Sequence, residues 1–177
     1  MPGATWDDVA RLPEHLVGEI IDGELIVTRL LPCRAARVQT VLVALIGRAY
    51  DLDRRGCASQ WHILSRMETH LGDDVLTPDI GGWRLERLPQ VPDGYPTIAP
   101  DWVCEVLTPE TEAFDRGEKL RAYARYGVQH VWFADDQPRV EVLHLEDRTW
   151  RSEGVHDSVV RSEPFGELEI DLTSFWH

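Results

Sequence analysis

Apolar and polar positions along the chain fall into two alternating periods. In EIIDGELIVTRL (19–30) two apolar segments flank Asp22-Gly23, the dipeptide that most strongly signals a two-residue hairpin turn. In RAARVQTVLVALIGRAYDLDRRG (34–56) the residues Val38, Val41, Leu42, Leu45, Ile46 and Ala49 recur at helical spacing, and Gly56 supplies a stop, which predicts one long amphipathic helix. QWHILSRMETHLG (60–72) alternates as a strand, and Gly72-Asp73-Asp74 turns it into VLTPDIGGWRL (75–85). A proline-rich loop, RLPQVPDGYPTIAP (87–100), then leads to DWVCEVL (101–107), the most strand-like apolar run in the chain.

The following segment reads as a second helix over about 116–126. Asp115 is a candidate cap with Glu118 three positions on, Gly127 a candidate C′ stop, and Leu120, Tyr123, Ala124 and Val128 an apolar stripe. HVWFADD, with Asp135-Asp136 as its turn, RVEVLHLED and TWRSEG supply further strands. The last apolar segment, ELEIDLTSFWH, either covers a sheet edge or mediates self-association. Strands on both sides of helices, with hairpins and without repeats or long linkers, predict an α/β fold: a central mixed β-sheet flanked by helices. The 177 residues suffice for a single domain, 1–177, with a real core.

Composition narrows this only slightly. Hydrophobic residues at 43% and charged residues at 28% are ordinary for a globular chain. No run of 18 apolar residues exists, and MPGATWDDVARLPEHL has neither a basic nor an apolar leader region, so the expectation is a cytoplasmic protein with no membrane partner. Cys33, Cys57 and Cys104 match neither a zinc nor a disulfide spacing and read as buried small hydrophobes. The net charge of −13 argues against binding nucleic acid through a general positive field, although a site that collects carboxylates, or a local arginine strip, remains compatible with it.

One residue breaks the pattern. Glu105 interrupts the run WVCEVL, where apolar density implies burial on both faces, and an unpaired carboxylate there costs several kcal/mol unless it is neutralised, paired or ligated. Asp79, in TPDIGG, is one candidate neighbour, although Pro-Asp is more often simply a turn. Lys119 is another. In a helix starting near 116 it stands in the first turn, where the macrodipole disfavours a cation and the side chain leans back toward the strand end; the alternative is a solvated surface lysine. Two carboxylates and a lysine on one edge suit a hard cation, Mg²⁺ or Mn²⁺, whose bound water attacks a phosphodiester.

At this point the residues reach a family. PDI, APDWVCEVLTPET, DRGEKLRAYARYGVQHVWFADD and the RVEVLHLED strand, with EIIDGELIV before them, resemble the Uma-type restriction endonucleases of the PD-(D/E)XK nuclease superfamily, over about residues 12–150 with the tail 151–177 included. The resemblance implies a restriction-endonuclease-like fold and hydrolysis of phosphodiester bonds in DNA. It implies Asp79 and Glu105 as ligands of Mg²⁺ or Mn²⁺, Lys119 as the catalytic lysine, and the Val106 carbonyl as a further ligand. Glu19 matches an acidic position of the family and either supports the metal or is an exposed carboxylate before the hairpin. In the wider superfamily the lysine lies two residues beyond the acidic ligand, here Leu107; the family pattern moves it to the next helix, where Lys119 matches. The family often carries a histidine near the start of its first long helix; this chain has Arg34 and Arg37 there, which are candidates to contact a phosphate. The alternative is a nuclease-fold module that binds nucleic acid or protein without efficient chemistry, and a third reading makes Glu105 and Lys119 a buried ion pair with no metal affinity. Two-fold pairing into a homodimer is the assembly expected from base rates.

Other residues have plainer readings. His62 and His70 share a face of the strand read over 60–72, but eight residues at ~3.3 Å each separate them by roughly 26 Å, too far to share a metal. The seven tryptophans, from Trp6 to Trp176, read as core and edge packing rather than base-stacking platforms.

Overall fold

A computed structural model describes residues 3–52 and 60–176. The elements run in chain order as α1 (Trp6–Ala10), β1 (Leu16–Ile21), β2 (Glu24–Arg29), α2 (Cys33–Gly47), which continues as a π turn over Arg48–Leu52, β3 (Trp61–Ser65), β4 (Thr69–Leu71), β5 (Asp74–Leu76), β6 (Ile80–Arg84) and β7 (Trp102–Val106). Then come α3 (Glu112–Phe114), a π segment over Asp115–Lys119, α4 (Leu120–Tyr126), β8 (His130–Ala134), β9 (Val140–Glu146), β10 (Thr149–His156), β11 (Val159–Val160), β12 (Ile170–Asp171) and a 3₁₀ turn, Leu172–Trp176. The predicted α/β class with a central mixed sheet holds. Six strands form that sheet in the order β10-β9-β8-β7-β6-β3, parallel only between β7 and β8, and a smaller antiparallel sheet runs β2-β1-β5-β4.

The Asp22-Gly23 hairpin forms as expected. Both residues take positive φ, 54° and 78°, as a type I′ turn requires, and Ile21 pairs with Glu24 across it. The first long helix also forms, burying Val38, Leu42 and Ile46, but its α-helical part closes at Gly47, and Gly56 and Cys57 lie outside the described residues. Of the other cysteines, Cys104 is buried and Cys33 is exposed at the start of α2, which corrects the expectation for Cys33.

Residues 60–72 are not one strand. Arg66 adopts φ 50°, its N–H bonds the carbonyl of Asp79, and the chain leaves the large sheet to re-enter the small one as β4. His62 and His70 therefore belong to different sheets, and the separation computed along a single strand does not apply. Alternation of polarity is a local signal, and a single left-handed residue is enough to break it.

The second helix is longer than expected. It starts at Glu112 after Thr111, and Asp115 is no cap but a buried residue inside it. Phe114 already obeys helical geometry, so DRGE is an interior turn that merely resembles a capping box. Gly127 does end it, in the left-handed conformation at φ 76°.

The large sheet is buried on both faces, as alternate residues of β7 show. Trp102, Cys104 and Val106 face α2, Trp132 and the C-terminal Phe165, Leu172 and Phe175, while Val103 joins Ala122, Tyr123 and Phe133 beneath α4. The C-terminal segment packs into the same core as α2, over a face of the large sheet rather than along its edge. Trp61, Trp83, Trp102 and Trp132 are fully buried, as packing predicts. At Gly82 a Cβ would stand 3.1 Å from Trp102 and 3.3 Å from both Ile63 and Trp61, all core side chains with nowhere to move. Gly82→Ala should therefore destabilise the fold by about 1–3 kcal/mol through overpacking, measurable as a lower urea midpoint with an unchanged m-value.

Candidate active site

The register of β6 and β7 creates the centre of the site. Ile80 pairs with Cys104, which sets Asp79 against Glu105 at the strand ends. Backbone amides then hold both acids: the Asp79 N–H donates to Glu105 Oε2 at 3.1 Å, and the Val106 N–H donates to Asp79 Oδ2 at 2.8 Å. The Asp79 carbonyl is held in turn by Gln39 Nε2 from α2 at 2.7 Å and by the Arg66 N–H at 2.9 Å.

Glu105 faces the side of the sheet on which the helix 112–126 lies, and that helix supplies its partners. Asp115, Lys119 and Tyr123 recur every four residues and share one stripe, with the π segment, in which the Leu120 N–H reaches back to the Asp115 carbonyl, widening the turn between the first two. Lys119 Nζ lies 2.8 Å from Glu105 Oε1, 3.2 Å from Glu19 Oε1, 3.3 Å from the Thr77 carbonyl and 3.8 Å from Asp115 Oδ1, with its side chain only 4% exposed. The Tyr123 hydroxyl donates to Glu105 Oε1. Glu19, on β1, also accepts the Thr77 N–H at 2.8 Å. Lys119 is thus neither solvated nor in a first helical turn; it sits mid-helix, and its position follows from the carboxylates it meets rather than from the macrodipole.

Asp79, Glu105, Lys119 and Glu19 are therefore brought together, and Val106 joins through its amide. Arg34 and Arg37 are directed elsewhere: Arg34 pairs with Asp136 at 3.3 Å and Arg37 donates to the Phe175 carbonyl at 3.0 Å. The sequence reading missed Asp115, Tyr123, Gln39 and Arg66. The spacing of Asp115, Lys119 and Tyr123 was legible as one helical stripe once the helix start was known. Arg66, whose guanidinium approaches Asp79 Oδ1 to 3.9 Å, had no local signal.

Four carboxylates thus surround one ammonium group and the edge of one guanidinium. Burial first, and the charge of Glu105 next, push the Asp79 carboxyl up to about 7. Burial likewise carries Asp115 to about 7, against the opposing pull of Lys119, and raises Glu19. Burial by itself would lower the Lys119 pKa, but Glu105, Glu19, Tyr123 and Asp115 together hold it well above its ordinary value, so it remains a cation. The donors leave a cavity of about 30 Å³, room for a water-sized occupant. Among the described residues no group of three or more His, Cys, Asp or Glu side chains is arranged to hold a metal ion. The donor set nonetheless fits a hard cation of the Mg²⁺ kind, which is commonly held by one or two carboxylates and completed by water and substrate phosphate.

The family described as "Putative restriction endonuclease", Uma2, matches residues 6–173. The chain belongs to the Uma2 family. This Uma2 protein is also similar, at 23% identity and a TM-score of 0.75, to a crystal structure described as "a putative nuclease belonging to DUF820" from Anabaena variabilis ATCC 29413, with 98% of this chain and 97% of that one covered. At that identity the likeness is one of fold. No curated protein matches the sequence. Among the described residues no helix is long and apolar enough to cross a membrane.

Carboxyl groups raised above their unfolded values make the Uma2 protein's stability depend on pH in a definite direction. Between 3.8, the ordinary aspartate value, and about 7, folded Asp79 keeps a proton that the unfolded chain has lost. Stability present at the acid end of that window is therefore lost as pH rises through it. Asp79→Asn removes the titration, so in metal-free solution its stability relative to the wild type should climb with pH by at most about 1.4 kcal/mol per unit and level off above about 7. Thermal unfolding of both proteins from pH 4 to pH 8 tests this, and parallel stability curves would refute it.

Proposed function

We propose that this chain is a metal-dependent endonuclease that hydrolyses phosphodiester bonds in DNA. The observation that carries the reading is the placement of Lys119, a buried ammonium 2.8 Å from Glu105, beside Asp79 and Glu105, which backbone amides hold side by side in a cavity lined by four carboxyl groups. Family membership supports the nuclease-like reading; metal dependence and the DNA substrate rest on the chemistry of the site.

Asp79 and Glu105, with the Val106 carbonyl, would hold Mg²⁺ or Mn²⁺, and Glu19 would stand beside it; such an ion lowers the pKa of a bound water and takes up charge on the phosphate. The chain's own groups supply the rest. Lys119, kept protonated by its carboxylates and with its N–H groups on Glu105, Glu19 and the Thr77 carbonyl, would offset the charge that develops on the phosphorane. Tyr123 holds Oε1 of Glu105, the Asp79 amide holds its Oε2 and the Val106 amide holds Oδ2 of Asp79, so both carboxylates are oriented before substrate arrives. A two-fold homodimer belongs to the same reading, because two such sites could address two strands.

A second reading has an observation of its own. Lys119 already touches Glu19 and Glu105 and partly neutralises them, as it would in a nuclease-fold binding module that has no metal and no chemistry. Calorimetric titration of Mn²⁺ into the wild type, Asp79→Asn and Glu105→Gln, with plasmid cleavage in Mg²⁺ alongside, separates the two. We expect the wild type to bind Mn²⁺ and cut, and both variants to lose binding and at least about 100-fold in cleavage while remaining folded. Cleavage retained in both variants would exclude the proposed chemistry. A wild type that neither takes up Mn²⁺ nor cuts would establish the second reading.

A further inference from the structure

The carboxylate cavity is not closed on all sides. Val17, Arg66 and Thr77 line it and also line a second groove of about 430 Å³, which Trp6 and Tyr95 line as well. That volume lies within the ~300–1,000 Å³ of small-molecule subsites. Arg66 stands at the junction with its side chain 26% exposed, held in place by its own N–H on the Asp79 carbonyl. Its guanidinium stands 3.9 Å from Asp79 Oδ1, and the residue lines both the cavity and the groove.

The aromatic part of the groove is open. Trp6 and Tyr95 are 40% and 42% exposed, whereas four of the other tryptophans are buried in the core. Their ring centroids are 5.9 Å apart, and Tyr95 lies parallel to His70 at 4.5 Å and 9°. Glu68 organises the cluster, its Oε1 standing 2.7 Å from both Trp6 Nε1 and His70 Nε2. That carboxylate is thus engaged by Trp6 and His70, and Tyr95 is held by its stack on His70. Exposed aromatics keep a hydrophobic and dispersive cost in water that a stacked partner would relieve.

We propose that this groove is a nucleotide subsite: Arg66 takes the phosphate adjoining the scissile one, and Trp6 with Tyr95 stacks an unpaired base. The inference rests on the nuclease reading above and extends it to the form of the substrate. Guanidinium is suited to phosphate by its planar fork of donors. With a net charge of −13, the chain lacks a general positive field to bind a polyanion, so stacking, which does not depend on charge, supplies the missing affinity. A base presents its π-face only when it is out of the duplex stack. The substrate is accordingly a single strand, or a duplex opened beside the cleavage point.

Fluorescence anisotropy in Ca²⁺ with two labelled strands of equal length, oligo-dT and an abasic sugar-phosphate strand, tests the subsite in the wild type, Trp6→Ala, Trp6→Phe, Tyr95→Ala and Arg66→Ala. Each alanine at Trp6 or Tyr95 should weaken oligo-dT binding about tenfold and leave the abasic strand unchanged, and Trp6→Phe should restore most of the affinity. Arg66→Ala should weaken both strands. Unchanged oligo-dT affinity in the two aromatic variants, or equal losses on both strands, overturns the subsite. Were the wild type to cut plasmid DNA in Mg²⁺ while those variants bound oligo-dT normally, the subsite alone would fall; a wild type that bound neither strand and cut nothing would overturn the subsite and the nuclease reading together.

Discussion

The fold is arranged around a buried carboxylate. Glu105 is 1% exposed in the middle of β7, between two apolar cores, and an ionised group in that position costs several kcal/mol unless its charge and its lone pairs are answered. Two separate parts of the chain answer it: Lys119 and Tyr123 from the helix on one side, and the Asp79 amide just ahead of β6. The position of that helix, the register of β6 on β7 and the left-handed turn at Arg66 that secures Asp79 are therefore linked. Moving any one of them would leave a charge or a donor buried without its partner.

The compensation is incomplete, and this is where structure turns into chemistry. Glu19, Asp79 and Asp115 crowd the same ammonium group, and burial drives their carboxyls toward the neutral form at the same time as Lys119 draws them toward the charged one. A purely structural ion pair has no use for three additional acids. Crowding these acids into a water-sized cavity costs stability in the free protein, and the protons of an acidic solution relieve it. Strain of this kind, held in place by a rigid sheet and a packed helix, is typical of sites built for a charged transition state rather than for the resting fold.

Charge is partitioned as well. The chain is strongly acidic, yet a guanidinium stands where the carboxylate cavity meets the open groove, and aromatic rings line that groove. Arg34 and Arg37, the cations expected to meet a phosphate, instead tie the start of α2 to Asp136 and to the C-terminal turn. Arg37 thereby holds the last residues against the helix, and a guanidinium that lines the carboxylate cavity belongs to Arg66, in a connection between two sheets.

Sequence by itself determined the α/β class, the Asp22-Gly23 hairpin, both long helices in outline, the apolar strand 101–107 and the anomaly of Glu105 within it. These follow from short-range periodicity and from the cost of burying charge, which need only neighbours a few residues apart. The convergence of Asp79, Glu105 and Lys119 was legible only with the help of a family pattern, since nothing local relates residues 26 or 14 positions apart. Where the second helix begins, that residues 60–72 split between two sheets, that Asp115, Tyr123 and Gln39 join the site and that Arg66, rather than Arg34 or Arg37, stands beside Asp79 were decided by tertiary structure. DRGE satisfies a capping pattern and a buried turn equally well, and only the packing of that helix over β7 selects between them. A left-handed residue such as Arg66 carries no periodic signal at all; its conformation is held by one hydrogen bond to Asp79, on a strand that the sequence alone could not place beside it.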